Sequence, residues 1–220
     1  MIPERFVHKT KAIQEVIETR ITDFKRVYRS GPDLYFYRRV VCLNKKTNTL
    51  KDFISNEYNL EIIYATLVAW DMNSRGAKLK YFNEFKENIL SLSSEIEKLW
   101  RKKLIDVTDF DSILHILSNI YDKLHVMKTG GRLVSNSKLL HFIFPELLMP
   151  MDRRNTLMYF YGHTNESKKQ YLELIEWSRH FVENAHIDWD KYLDTEWNVT
   201  IPKILDNAII VKHNKSVKNR

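Results

Sequence analysis

The stretch Thr108-Asp109-Phe110-Asp111-Ser112-Ile113-Leu114-His115-Ile116-Leu117-Ser118-Asn119-Ile120-Tyr121-Asp122-Lys123-Leu124-His125-Val126-Met127 decides the fold. Ile113, Leu117, Ile120, Leu124 and Met127 recur every three or four residues and make one helical stripe, widened by Leu114, Ile116 and Tyr121. Thr108 is the expected N-cap, with Asp109 and Asp111 where the helix dipole favours acid. The period predicts a helix over 109–127.

The same spacing continues on both sides. Ile13, Val16, Ile17, Ile21, Phe24 and Val27 predict a helix over 8–29, stopped by Gly31-Pro32. Further helices are expected at 33–43, 49–54, 58–72, 79–91 and 94–103, the last opened by a capping box from Ser94 to Glu97. Later ones are expected at 136–144, 153–161, from the cap Asn165 to 184, at 188–194, and at 201–212 with Pro202 in the first turn. Only five Gly and five Pro are present, too few for the turns of an all-β chain. The expectation is an all-α protein of about ten helices in a single compact, orthogonal domain over 1–211, with a division into two lobes left open. A basic, frayed tail over 212–220 is expected to follow. The core should include Ile17, Phe24, Leu67, Trp70, Ile113, Leu117, Ile120, Leu124, Phe142 and Leu174.

A single cysteine, Cys42, excludes an internal disulfide and a multi-cysteine zinc site, and its apolar run Val40-Val41-Cys42-Leu43 suggests a buried thiol. The eight histidines show no metal-binding spacing and no phosphate-binding glycine loop occurs, so neither metal nor cofactor is expected. Met1 to Phe6 carries no hydrophobic signal core, and no apolar run approaches the ~20 residues of a membrane span. A cytoplasmic protein with no membrane contact is the simplest expectation. Net charge +7 and a pI of about 9.3 favour an acidic partner, nucleic acid above all. Part of that excess is the tail, where Lys212, Lys215, Lys218 and Arg220 meet no acid.

One segment carries candidate chemistry. Gly130-Gly131 permits a turn, Ser135, Asn136 and Ser137 can cap a helix whose free amides suit an anion, and Lys138 and His141 follow. A lysine in a first turn conflicts with the helix dipole unless an anion is near, and such conflicts concentrate at functional sites. Further on, Pro150-Met151-Asp152 forces an extended approach to a carboxylate that can cap the next helix, and Arg153 and Arg154 crowd it. Arg132, Arg153 and Arg154 can hold phosphate. The ending Trp70-Asp71-Met72-Asn73-Ser74-Arg75 of an apolar helix could line a cleft beside this segment, although a core role for Trp70 is the default.

From Leu133 to Asp152 the segment resembles the helix-hairpin-helix DNA glycosylases, in which a hairpin turn leads to a helix opening with a lysine, and an apolar stretch ends in Pro-x-Asp. The resemblance implies that Lys138 is an amine nucleophile at the sugar carbon, that Asp152 is the carboxylate that supports a cationic transition state, and that DNA is the expected partner ahead of RNA. It covers 28 residues of the 220, from Thr129 to Thr156, lacks the hairpin's Gly-x-Gly and any cysteine cluster, and has a shorter Lys-to-Asp spacing. The segment is also similar to a prokaryotic family of unassigned activity with Ser-Lys-x-Leu-His and Pro-x-Asp-Arg at these positions.

Two rival readings stay open. Arg179 and His186 resemble the Arg-x(4–6)-His motif of HEPN-type ribonucleases, where the histidine serves acid–base cleavage of RNA. A non-enzymatic binding module, with both polar clusters acting only as helix caps, is the other.

Overall fold

The computed structural model describes residues 3–27, 31–74 and 76–214. Helix accounts for 65% of the chain, and among the described residues no strand forms beyond an isolated antiparallel bridge between Leu79 and Met127. The chain is all-α, as its periodicities predict.

The helix expected over 8–29 divides at Ile21-Thr22 into α1 (Val7–Arg20) and α2 (Asp23–Val27), and its last two residues lie outside the described ones. Ile13, Val16, Ile17, Ile21 and Phe24 are buried on the expected face. α3 (Pro32–Lys46) opens with Pro32, whose fixed φ suits a first helical turn, so Gly31-Pro32, expected as a stop, begins a helix. Thr49 and Asn56 cap α4 (Leu50–Ser55) and α5 (Glu57–Ala69). α6 (Phe82–Leu90) is followed by α7 (Ser93–Glu97), which starts without a side-chain cap; Ser94 bonds Glu95, so the expected capping box is absent.

α8 (Phe110–Lys123) buries Ile113, Leu117, Ile120 and Tyr121, and Asp109, not Thr108, caps it through the Ser112 amide. α9 (Leu133–Ile143) is buried along nearly its whole length. A π-helical turn over Arg153–Leu157 runs into α10 (Met158–Tyr161), which Gly162 ends in the left-handed region at φ 74°. Ser167, not Asn165, caps α11 (Lys168–Asn184). α12 (Ile201–His213) has Pro202 in its first turn and ends one residue past the expected helix end, so Lys212 and His213 are helical although the frayed tail was expected to begin at 212; residues 215–220 lie outside the described ones.

The buried apolar side chains form one cluster from Phe6 to Val211. α12 is its axis. Every residue from Pro202 to Val211 is buried, which is how a helix enclosed on all sides behaves. α1, α2 and the π-helical turn pack on it, while α3 packs on α5 and α9. This arrangement brings the C-terminal end of α5, the middle of α9, the start of α12 and Asp152 to one place.

Two expected core members behave differently. Trp70 is half-buried and forms part of a cavity wall, and Cys42 is half-buried, where full burial was expected.

Candidate functional site

A cavity of about 700 Å³ opens where these elements meet. That lies within the ~300–1,000 Å³ of small-molecule sites. Lys138, Asp152, Ser135, Arg153 and Arg154 line it. Trp70, Asp71, Met72 and Ser74 complete one wall, so the polar end of α5 does border the 129–156 segment; Arg75 is outside the described residues.

Lys138 reaches across from α9. Its Nζ donates to the Trp70 carbonyl at 2.7 Å and sits 5.8 Å from the Trp70 ring centroid. Burial lowers the amine's pKa, while Asp152, Asp206 and Asp71 pull the other way and Lys203 adds to the lowering. Asp152 caps the π-helical turn with both oxygens: Oδ1 accepts from the Asn155 amide at 2.6 Å and Oδ2 from its side-chain Nδ2 at 2.7 Å. The Leu157 amide donates to the Asp152 carbonyl at 3.0 Å, five residues back, and this wide turn sets the carboxylate at the cavity.

Lys138 is not in the first turn of its helix. α9 starts at Leu133, three residues before the expected start, because Glu166 supplies the cap: its Oε2 accepts from the Leu133 amide at 2.7 Å. Glu166 also pairs with Arg153. The anion site expected at this helix end is therefore filled by the chain's own carboxylate. Arg154 is exposed and makes no hydrogen bond or ion pair among the described residues.

The remaining candidates are corrected by burial. Asn136, Ser137 and His141 have no exposed surface and cannot touch a polymer. Asn136 Nδ2 donates to the Leu124 carbonyl at 3.2 Å. Ser137 Oγ donates to the Val134 carbonyl at 3.0 Å and accepts from the Met151 amide at 3.0 Å. His141 lies between the Leu148 carbonyl, 2.7 Å from Nδ1, and the Tyr37 hydroxyl, 2.9 Å from Nε2. The carbonyl can only accept, so Nδ1 carries the proton and Nε2 accepts from Tyr37. Burial holds the imidazole neutral, with its pKa lowered to about 3. Arg132 does not line the cavity; its guanidinium donates to the Asp122 carbonyl at 3.2 Å.

Arg179 and His186 are not brought together. α11 ends at Asn184, and His186 sits beyond it at φ 48°, so the two share no helical face. Arg179 instead donates to the carbonyls of Leu104 at 3.2 Å and Val107 at 2.7 Å and pairs with Glu183. Its role here is to tie down the chain before α8. Among the described residues no group of His, Cys, Asp and Glu has the arrangement of a metal site.

Sequence reasoning missed the floor of the cavity. Lys203 and Asp206, on the first turns of α12, line it and are almost fully buried. Lys203 Nζ donates to Asp206 Oδ2 at 2.6 Å and Asn207 Oδ1 at 2.7 Å. Four rings surround the ammonium, Trp70 at 5.1 Å, Phe24 at 5.3 Å, Trp197 at 5.4 Å and Tyr37 at 5.9 Å. Burial raises the Asp206 carboxyl's pKa, opposed by Lys203. A usable signal was present in the sequence: Ile204, Leu205, Ala208, Ile209, Ile210 and Val211 cover every side of that helix, so polar residues among them must be buried too.

No helix among the described residues is long and apolar enough to cross a membrane. Comparison with protein families, with curated proteins and with solved structures finds no match to this chain.

Proposed function

We propose that this chain is a nucleic-acid-binding, DNA glycosylase-like enzyme that works through Lys138 and Asp152. The observation that carries this reading is the convergence of both side chains on one cavity, although they lie 14 positions apart in sequence. The lowered pKa of the Lys138 amine supports a nucleophilic role, since only the deprotonated form attacks carbon. A base turned out of its strand would enter the cavity beside Trp70 and Trp197, and Arg154 at the wall would meet the neighbouring phosphate.

In the proposed step the Lys138 lone pair forms a bond to the deoxyribose C1′. The glycosidic C–N bond breaks, and its electron pair leaves with the base, which takes up the proton that the Lys138 nitrogen loses on bonding to C1′. The Asp152 carboxylate faces the positive charge that develops on the sugar. The Lys138 nitrogen lone pair then opens the sugar ring at the C1′–O bond, whose electron pair stays on the ring oxygen as it takes a proton from water, and leaves an iminium that water hydrolyses to the free amine and an aldehyde. Borohydride trapping on DNA carrying an abasic site tests this. A covalent adduct is expected with the wild-type chain and not with Lys138→Ala; a wild-type protein that forms no adduct removes the proposal. Asp152→Asn should fold, because an amide oxygen still caps the turn, and should lose turnover.

One set of contacts favours a second reading, a binding module without chemistry. Lys138 closes the end of α5, Asp152 caps the π-helical turn, and Glu166 neutralises Arg153. On that reading ligand affinity survives while no adduct forms.

A further inference from the structure

The floor of the cavity holds a charged pair that folding alone does not explain. Removing an ammonium and a carboxylate from water costs several kcal/mol per ion, and apolar residues of similar volume often serve a core as well or better. Here Lys203 is 3% exposed and Asp206 7% exposed at the side chain. The pair also stops short of completing itself. The ammonium has three N–H donors and gives two to oxygen, on Asp206 and Asn207. Asp206 commits Oδ2 to Lys203, and Oδ1 has no hydrogen-bond partner among the described residues. Both residues line the cavity, with the indoles of Trp70 and Trp197 beside them. The ammonium already occupies the aromatic box, so the floor cannot be a cage for a cationic ligand. It offers a donor next to an acceptor, between aromatic faces.

We propose that Lys203 and Asp206 form the recognition site for a heterocyclic lactam, a flat ring presenting a carbonyl oxygen beside a ring N–H. Lys203 donates its third N–H to the carbonyl, and Asp206 Oδ1 accepts from the ring N–H. Hypoxanthine, guanine, uracil and thymine present this edge. Adenine and cytosine present an amidine edge, whose amino N–H is a weaker acid and gives a carboxylate the weaker charge-assisted bond. The proposal rests on the nucleic-acid reading above and names the class of base it would take.

The probes are free nucleosides, read by quenching of tryptophan fluorescence and by calorimetry. Deoxyinosine and deoxyuridine should bind the wild-type chain about tenfold or more tighter than deoxyadenosine and deoxycytidine. Methylation at N1 of deoxyinosine or N3 of deoxyuridine removes the N–H and should weaken binding by the same factor. A Lys203→Met, Asp206→Leu double variant should keep its helical circular dichroism and lose the preference. Equal affinity for methylated and unmethylated nucleosides, no measurable nucleoside binding, or an intact preference in the folded double variant would each overturn the proposal. Should the double variant not fold, the methylated pairs decide the matter in the wild-type chain. Nucleoside binding needs no reaction at Lys138. A protein that prefers lactams and forms no adduct therefore keeps this site and loses the glycosylase reading. One that forms the adduct without discriminating among nucleosides does the reverse.

Discussion

The hydroxyl of Ser137 accepts a hydrogen bond from the Met151 amide at 3.0 Å, and each residue is the chain neighbour of a candidate reactive group, Lys138 and Asp152. The bond fixes α9 against the Pro-x-Asp segment inside the core, where no water can replace it. Ser137→Ala leaves a buried amide unpaired and should cost about 1–3 kcal/mol. Urea denaturation measures this; a loss below about 0.5 kcal/mol, the scale of an ordinary surface change, would mean that packing alone sets the register.

His141 gives a pH dependence of definite sign. Its pKa is about 3 in the folded chain, against an ordinary value of 6.5. Between those values the unfolded chain binds a proton that the folded chain does not. Stability from this group is complete above pH 6.5 and falls as the pH drops toward 3, by roughly 1.4 kcal/mol per unit. Denaturation midpoints between pH 6.5 and 4.5 should show a slope that is flatter by that amount in His141→Gln. The variant should also be less stable at pH 7, because a flexible amide replaces the imidazole ring stacked on Tyr37. An unchanged slope would mean that His141 is protonated in the folded protein.

The helical framework was legible because burial on one face imposes a period. Ile113, Leu117, Ile120 and Leu124 are all buried as their spacing requires, as are Ile17, Phe24, Leu67, Phe142 and Leu174. Helix starts were less legible, since a cap can come from far along the chain. Ser135, Asn136 and Ser137 look like a local cap, yet Glu166 caps that helix from 33 residues away. Half of the candidate site was legible for a similar reason. Pro150 and Asp152 mark a chain entry and a cap locally, whereas the helix-dipole conflict that singled out Lys138 disappears once α9 starts at Leu133. Lys203 and Asp206 are spaced three apart like any surface ion pair; the apolar residues on every side of α12 imply their burial, but only the packing of α12 against its neighbours shows that they meet Lys138 and Asp152 at one cavity.

Lys138 should carry the opposite pH signature to a surface lysine. Burial lowers its pKa below the ordinary 10.5. Between the lowered value and 10.5 the unfolded chain holds a proton that the folded chain has released. The contribution of this group to stability therefore rises with pH through that window and is flat below it, where both states are charged. Lys138→Met has no amine to titrate, so the wild-type chain should gain on it as the pH rises through that window toward 10.5. Chemical denaturation across that range is the measurement, and a constant difference would place the amine in water.

Gly131 and Glu166 make a paired test of the cavity mouth. A Cβ added at Gly131 would collide with Arg153 Nη2 and stand 3.2 Å from both oxygens of Glu166. The arginine is the flexible partner and more than half exposed, so it should swing away while the Glu166 bond to the Leu133 amide persists. Gly131→Ala is then expected to lose only an exposed ion pair, about 0.2–1 kcal/mol, and to keep its fold. Glu166→Ala removes the acceptor for a helix-start amide as well and should cost more, about 1–3 kcal/mol. The two variants should also differ in what they do to nucleic-acid binding. Gly131→Ala frees Arg153 without loosening α9, adding one cation for phosphate and steepening the salt dependence by about one contact. Titration of a fluorescent oligonucleotide at several salt concentrations reads this slope, alongside thermal melting of both proteins. Severe unfolding of Gly131→Ala would show that Arg153 is held rigidly at the mouth, and an unchanged slope in a folded variant would remove Arg153 from the phosphate-binding surface.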